Sequence, residues 1–384
     1  MKINIIRGQN QIGGSIIELA TDNTRIILDA GANLGESKTH TYVPPVPGLF
    51  DAGENYDGVF VSHYHSDHTG LLRFVRSGNR IFMGETAYKV LSAINECKGK
   101  PTGFEPEYLY SFEEVEVGDF KVMPIPCDHS AYAAFMFLIH AEGKSILYTA
   151  DYRSTGHLDF DTLLEILPEV DVLITEGTTL SRGEDFHEPT EQELEDFAVE
   201  TLDAKSGPAF VYLSAQNLDR IITAYHVACR TGRRFILDRL SAAAVDAAGI
   251  DMEAQRLPAG LNEVPAEDLF AKPDFMLCVT PQTLGNLEKL SRRISLKDGV
   301  LFFGRREVYM LKPVTSALIQ LLETKGVTVP MLHTSGHADS NTIEKLVLNV
   351  NPDIIIPVHT ENSQWFSRFE DSCQVIYNCH NFVL

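Results

Sequence analysis

Short β-branched runs, the first of them separated by glycine and Asn/Asp turn signals, set the rhythm of this chain and limit what it can fold into. Ile3–Ile6, Ser15–Leu19, Arg25–Asp29 and Asp57–Ser62 predict strands joined by tight turns. Leu71, Leu72 and Val75 fall at helical spacing and predict a helix over Thr69–Arg76. Strands are expected again at Phe120–Ile125, Ala133–Ile139, Ser145–Thr149 and Val172–Thr175, with a helix at Thr162–Leu167. Past residue 178 the pattern becomes a regular alternation. Helices over Thr190–Leu202, Leu218–Arg230, Leu240–Ala248, Leu284–Arg292 and Thr315–Lys325 separate strands at Phe210–Leu213, Arg233–Leu237, Phe275–Val279 and Val300–Phe303. Thr190 followed by Glu193 has the form of a capping box. Strand–helix alternation of this kind makes a parallel sheet covered by helices. A Pro/Gly-rich connection falls at Leu257–Pro265, and strands at Val327–Leu332 and Ile354–Val358 then flank a helix at Asn341–Val350. The expected organisation is an α/β domain over 1–177, a second α/β domain inserted over 178–332, and the first domain resumed over 333–384.

Charge supports that division. The 384 residues carry a formal net charge of −21. The 178–332 segment holds 17 Lys/Arg against 22 Asp/Glu, a net of −5, whereas the remainder holds 15 against 31, a net of −16. The insertion is therefore the less acidic part, with arginine pairs at Arg233/Arg234, Arg292/Arg293 and Arg305/Arg306. So acidic a surface excludes a broad basic coat for nucleic acid, and any polyanion must be held locally. Cys97, Cys127, Cys229, Cys278, Cys373 and Cys379 lie far apart and are expected as buried reduced thiols. Residues 1–12 lack an apolar secretory core, and the most apolar stretch, Tyr132–Ile139, is far shorter than the roughly 20 residues of a membrane helix. A cytoplasmic protein without a membrane partner is expected.

The chemical signal is concentrated in Val61-Ser-His63-Tyr-His65-Ser-Asp67-His68-Thr-Gly. His63 and His65 are two residues apart on an extended segment, so their rings point the same way. Asp67 and His68 follow as the chain turns, and imidazole with carboxylate suits zinc and neighbouring divalent ions. Tyr64, between two of these residues, is expected to point away and pack. Three further candidates close apolar strands elsewhere: His129 after Val122–Pro126, Asp151 after Ile146–Ala150, and His359 after Ile354–Val358. Strands ending on such residues can bring them to one edge of a sheet sandwich.

Together His63, His65, Asp67, His68, His129, Asp151 and His359 resemble the ligand set of the metallo-β-lactamase superfamily. The order and flanks are similar to its β-CASP branch, which includes ribonuclease J and the endonuclease of messenger-RNA 3′-end cleavage. That branch has an acidic motif, here Thr175-Glu176-Gly-Thr, then a Rossmann-like insertion, then a motif matched by Thr334-Ser335-Gly336-His337-Ala338, and a last histidine motif matched by Pro357-Val358-His359. The resemblance implies an αββα sandwich with an inserted parallel α/β domain. It implies that His63, His65 and His129 hold one divalent ion, that Asp67, His68 and His359 hold a second, and that Asp151 bridges both. Zinc is the expected metal, with manganese as the alternative. Asp29, in Leu28-Asp29-Ala-Gly, matches a motif that orients the ligand loop.

The implied activity is hydrolysis of RNA by a two-metal, bridging-hydroxide mechanism. Asp67, Glu176 and His337 form the catalytic set, with His337 as general acid, oriented and kept protonated by Glu176. Ser335 is a candidate donor to a phosphate oxygen, and His333 either touches substrate or packs. His40, His140, His157, His187, His226 and His380 are expected to be structural or at the surface. The acidic balance predicts weak, salt-sensitive RNA affinity. Two other functions compete. One is a small-molecule hydrolase acting on a lactone, ester or cyclic phosphodiester with the same dinuclear core; the 208 positions between Asp151 and His359 speak against it. The other, a non-catalytic partner subunit, would show eroded ligands, and none is missing.

Overall fold

The computed structural model describes residues 1–35, 41–183, 186–257 and 270–384, whose strands form three sheets. The first lobe contributes β1 (Lys2–Arg7), β2 (Ile16–Ala20), β3 (Arg25–Leu28), β4 (Gly58–Val61), β5 (Ile81–Gly84) and β6 (Glu107–Leu109). These are followed by β7 (Val115–Val117), β8 (Phe120–Cys127), β9 (Ala134–Ala141), β10 (Lys144–Tyr148) and β11 (Val172–Thr175). Next come β12 (Ala209–Tyr212), β13 (Arg234–Leu237), β14 (Gln255–Arg256), β15 (Phe275–Val279) and β16 (Val300–Phe303). β17 (Ile354–Pro357), β18 (Gln374–Val375) and β19 (Phe382–Val383) complete the series.

Two seven-stranded sheets face each other, in the orders β19-β1-β2-β3-β4-β5-β6 and β18-β17-β11-β10-β9-β8-β7. Their facing sides alternate apolar residues inward. Ile17, Leu19, Ile26, Phe60 and Phe82 of one sheet meet Phe120, Val122, Phe137, Ile146 and Ile174 of the other in a single core. Phe60 stacks on Phe82 with ring centroids 4.6 Å apart and meets Phe137 edge-on at 5.9 Å. Each such side chain contributes about 1.5–3 kcal/mol by leaving water. The sandwich therefore holds its edges firmly.

Strand direction decides where the chemistry collects. In the second sheet β10, β11 and β17 run parallel, and β8 shares their direction because both β8 and β10 are antiparallel to β9. The carboxyl ends of these four strands thus fall on one edge. β3 and β4 are also parallel, and Ser62 O, just past β4, accepts from Phe135 N of β9, which ties the two sheets together at that edge.

The third sheet, β14-β13-β15-β12-β16, is parallel throughout and made only of strands from the insertion. Among the described helices, α1 (Ser66–Thr69), α2 (Glu85–Cys97) and α3 (Phe160–Ile166) belong to the first lobe. α4 (Glu191–Asp203), α5 (Leu218–Arg230), α6 (Arg239–Ala248), α7 (Leu284–Leu290) and α8 (Pro313–Thr324) surround the parallel sheet, and α9 (Ser340–Val350) returns to the sandwich. Side-chain caps start most of the longer ones: Thr190 and Glu193 form the capping box expected for α4, and Asn217, Asp238 and Asp339 accept from backbone N–H groups of α5, α6 and α9. One apolar cluster runs from the outer face of the first sheet through α2 into α4, α5 and α6, so the insertion packs directly on the sandwich.

Several expectations fail locally. The helix expected over Thr69–Arg76 is instead the single turn α1 and a 3-10 turn, Leu72–Phe74. Leu71 N there bonds Ala30 O, because the chain must fold back beside Asp29 rather than extend a helix. The strand expected at Val327–Leu332 makes only isolated bridges to β16, at Thr328 and Met331, since Pro330 lies between them and lacks an N–H. β5, α2 and the closing strand β19, which pairs with β1, were not expected. All six cysteines are free, but only Cys127, Cys278 and Cys379 are buried; Cys97 and Cys373 are half-buried and Cys229 is exposed at the end of α5. His40 and most of the Leu257–Pro265 connection lie outside the described residues.

Candidate metal centre

At the shared edge, strand ends deliver the candidate residues. β4 leads into His63, β8 into His129, β10 into Asp151, β11 into Glu176 and β17 into His359. Three of the turns are strained: Asp29, Ala150 and His359 have φ of 59°, 47° and 50°, left-handed values uncommon outside glycine. Such conformations persist only where surrounding contacts impose them. Two glycines are required by close approach. A Cβ on Gly31 would lie 1.6 Å from Asp67 O, and one on Gly336 would lie 2.5 Å from Ser130 Oγ and 3.0 Å from His129 Cε1.

The seven residues expected as ligands come together. One group comprises His63, His65 and His129, and a second comprises Asp67, His68, Asp151 and His359; within each group the donor atoms lie within 4.8 Å of one another. Asp151 Oδ2 stands between the groups, 3.8 Å from His63 Nε2, 3.9 Å from His129 Nε2 and 3.3 Å from His68 Nε2. His359 Nε2 is 3.3 Å from Asp67 Oδ2, and His65 Nδ1 is 3.0 Å from His129 Nε2. Tetrahedral zinc with nitrogen ligands near 2.05 Å needs ligand atoms about 3.3 Å apart.

What holds each ring's other nitrogen decides its tautomer. His68 Nδ1 donates to Asp29 Oδ2 at 2.7 Å, and His129 Nδ1 donates to Gly336 O. Thr178 Oγ1 donates to Glu176 Oε2 at 2.6 Å and so accepts from His359 Nδ1 at 2.8 Å. Ser62 Oγ donates to Asp29 and accepts from His63 Nδ1 at 3.0 Å. In all four rings Nε2 is left facing the cluster; at His68, although burial opposes charge, the Asp151 and Asp29 carboxylates hold the imidazole well above its usual pKa. Asp29 itself is fully buried behind His68, and takes Tyr148 OH at 2.7 Å and Ser62 N at 2.8 Å. It supports the ligand loop from behind and stands outside the cluster.

Electrostatics agree with a cation site. Burial pushes the His63 and His129 imidazoles well below their usual range and His65 to about 4, with neighbouring rings adding to the effect on His63 and His129; all three are neutral near pH 7. Burial also opposes charge on Asp67 and Asp151, but the adjacent histidines hold both carboxyls below the usual range. His63 Nε2, His68 Nε2 and Asp151 Oδ1 are buried without an aligned hydrogen-bond partner among the described residues. Buried polar atoms left so are rare, and a divalent ion is the partner this donor set fits.

His337 lies beside the second group with 21% of its side chain exposed. Its Nδ1 donates to Glu176 Oε2 at 2.9 Å and is 3.7 Å from Asp151 Oδ2. Burial works against its charge, yet the Glu176 and Asp151 carboxylates raise its pKa to about 9. Glu176 is fully buried, accepts from Tyr152 N at 2.9 Å, and is thereby fixed in place. Ser335 turns its hydroxyl toward its own loop, where it accepts from His337 N at 3.3 Å. His333 is half-buried; burial first, then Arg220, Arg182 and Arg306, lowers its pKa to about 3. Tyr64 packs inside, as expected, fully buried. His140, His157, His187, His226 and His380 lie outside the cluster.

Sequence reasoning missed a buried ionic network behind these loops, built from Asp128, Arg153, Glu191, Asp219 and Arg220. Asp128 and Arg153 adjoin the motifs that carry His129 and Asp151, which was a usable signal. Glu191 reads as an ordinary first residue of a capped helix, and nothing local marks it.

A sandwich with a histidine–aspartate centre at its edge and an inserted α/β domain defines a metallo-β-lactamase-fold metallo-hydrolase. Residues 24–206 match the model of the beta-lactamase superfamily domain, and residues 323–368 match that of the Zn-dependent metallo-hydrolase RNA specificity domain. The chain is 25% identical over 413 residues to ribonuclease J of Pyrococcus abyssi, covering 94% of this chain and 90% of that protein. It is 22% identical over 412 residues to a probable RNase of Methanocaldococcus jannaschii, covering 92% of each. Ribonuclease J 2 of Streptococcus pyogenes matches at 21% identity over 388 residues, covering 94% of this chain and 70% of that one. A crystal structure of a protein of unknown function from Enterococcus faecalis shares the fold, with a TM-score of 0.79, 21% identity, and coverage of 98% of this chain and 97% of that one. Residues 24–206 thus resemble the beta-lactamase superfamily domain, and the chain as a whole is similar to ribonucleases J along most of its length.

Proposed function

We propose that the protein is a metal-dependent ribonuclease that hydrolyses RNA phosphodiesters to 3′-hydroxyl and 5′-phosphate ends. The observation that carries this is the pairing of a seven-residue ligand set with a separately held acid, His337, on its Glu176 partner. The relatives named above, ribonucleases matched along most of their length, and the match to an RNA specificity domain favour RNA over a small-molecule substrate.

On this reading two divalent ions, zinc in the first instance, are held by His63, His65 and His129 and by Asp67, His68 and His359, with Asp151 between them. When bound, they supply an activated water and neutralise phosphoryl charge. Asp29 and Ser62 hold the rings of His68 and His63, and Thr178 holds that of His359. Because His337 Nδ1 is engaged by Glu176, its Nε2 carries the proton that the leaving 3′-oxygen takes. Arg182 and Arg306, two of the three cations that act on His333, provide local attraction for a phosphate backbone on an otherwise acidic molecule. The domain division 1–177, 178–332 and 333–384 belongs to the same reading and is supported by a parallel sheet built only from β12–β16.

The test is incubation of the purified chain with labelled RNA and added zinc or manganese, beside His65→Ala. Metal-dependent cleavage by the parent and its loss in the variant are expected. Equal activity in both overturns the assignment.

A further inference from the structure

The four loops that carry the centre's front residues converge on one turn of the inserted domain. Tyr64, between His63 and His65, donates from its OH to Gln216 O at 2.8 Å, and the Tyr64 hydroxyl oxygen accepts from Tyr132 N at 2.7 Å. Ala131, two residues after His129, forms an antiparallel bridge with Asn217. Arg153, two residues after Asp151, is fully buried and spends its guanidinium on several elements at once. Nε donates to Asp128 Oδ1 at 2.9 Å, Nη2 to Asp219 Oδ2 at 2.5 Å, and Nη1 to Ser335 O at 3.0 Å and Glu191 Oε1 at 3.3 Å. Arg220, also fully buried, donates to Leu332 O at the start of the His337 loop, and to Glu191 Oε2 and Oε1 at 3.1 and 2.9 Å.

We propose that the Gln216–Arg220 turn at the head of α5, acting with Arg153 and Tyr64, positions the metal-ligand loops, so that the inserted domain completes the metal centre as well as standing over it. This rests on the metal reading above. The physical case is the fork. A guanidinium offers five donors in one plane and can satisfy acceptors from two loops and two helices simultaneously. An ammonium offers three donors around a point and cannot. Removed from water, these charges hold only the arrangement in which every partner is met, so the loops have one mutual register. Tyr64 and Arg153 are thus positioning residues: they lie behind the ligands and act through them.

The experiment uses the whole chain loaded with Co²⁺, whose visible absorption reports ligand geometry independently of any substrate. Arg153→Lys keeps the charge and loses the fork; Tyr64→Phe keeps the packing and loses only the hydroxyl. Glu195→Gln, which breaks an ion pair with Arg230 elsewhere on the same helices, is the control. Supporting partners of metal ligands are worth about 10–100-fold in affinity or activity. Both test variants are expected to bind Co²⁺ about 10–100-fold more weakly with an altered band, and to lose kcat while KM stays within about twofold. The control keeps the parent spectrum. Should Arg153→Lys not fold, Tyr64→Phe decides alone. Parent-like spectra and affinity in the folded variants overturn the proposal and leave the metal reading standing; a parent chain that takes up no Co²⁺ overturns both.

Discussion

On the proposed mechanism, His337 is the residue whose charge state the reaction depends on most directly. Its pKa of about 9, raised by Glu176 and Asp151 against the effect of burial, keeps it protonated at neutral pH. An acid is competent below its pKa, so kcat is expected to hold through neutrality and fall as pH rises past about 9. His337→Ala should lower kcat by about 10²–10⁴-fold with little change in KM and should abolish that alkaline limb. A kcat–pH profile of both proteins checks it; an unchanged limb in the variant assigns the titration elsewhere. Asp29 is the second informative position. Asp29→Asn removes the carboxylate that fixes His68 and is expected to weaken metal binding about 10–100-fold, measured by chelator competition.

Between elements, the joint of α4 and α5 with the sandwich is ionic as well as apolar. Glu191, the first residue of α4, is fully buried, and although burial opposes its charge, Arg220, Arg153 and Thr223 hold its pKa down to about 2. A carboxylate depressed on folding stabilises the native state above its unfolded pKa of about 4.3, and that contribution is lost as pH falls through the folded value. Acid unfolding is therefore expected to steepen between about pH 4 and pH 2, and Glu191→Ala should flatten that limb. At pH 7 the same variant leaves two buried guanidiniums underpaired and should cost about 3–5 kcal/mol, read from urea or thermal melts. An unchanged acid limb would show that another carboxylate governs it. Elements are also where periodicity misled. Leu71, Leu72 and Val75 carry helical spacing, yet Gly70 and the Leu71–Ala30 bond turn the chain there.

For the whole molecule the governing quantity is charge. A body at −21 repels RNA, so binding of the proposed substrate must rest on a few local cations and weaken steeply with salt. Each phosphate contact contributes a slope of about −0.7 in log affinity against log salt for a single strand. Arg306 is exposed and its charge acts on His333, four residues before His337, which places it near that loop. Arg306→Glu is expected to raise KM, flatten the salt slope by about one contact and leave kcat within about twofold. An unchanged slope removes Arg306 from the binding surface. Among the described residues no helix is long and apolar enough to cross a membrane.

The amino-acid sequence alone determined most of the site-bearing strands and which residues end them, because a run of β-branched side chains and the His or Asp that closes it are both local. His63, His65, Asp67 and His68 were legible for that reason, and so was the Thr190–Glu193 cap. Convergence was not local: whether His129, Asp151 and His359 meet depends on β8, β10 and β17 running in one direction within a sheet, which only pairing fixes. Equally invisible was the company kept by Arg153, Glu191 and Arg220, three ordinary charges in sequence. Burial makes each of them intolerable unless it is matched by partners, and those partners lie far off in the chain, up to 182 positions away.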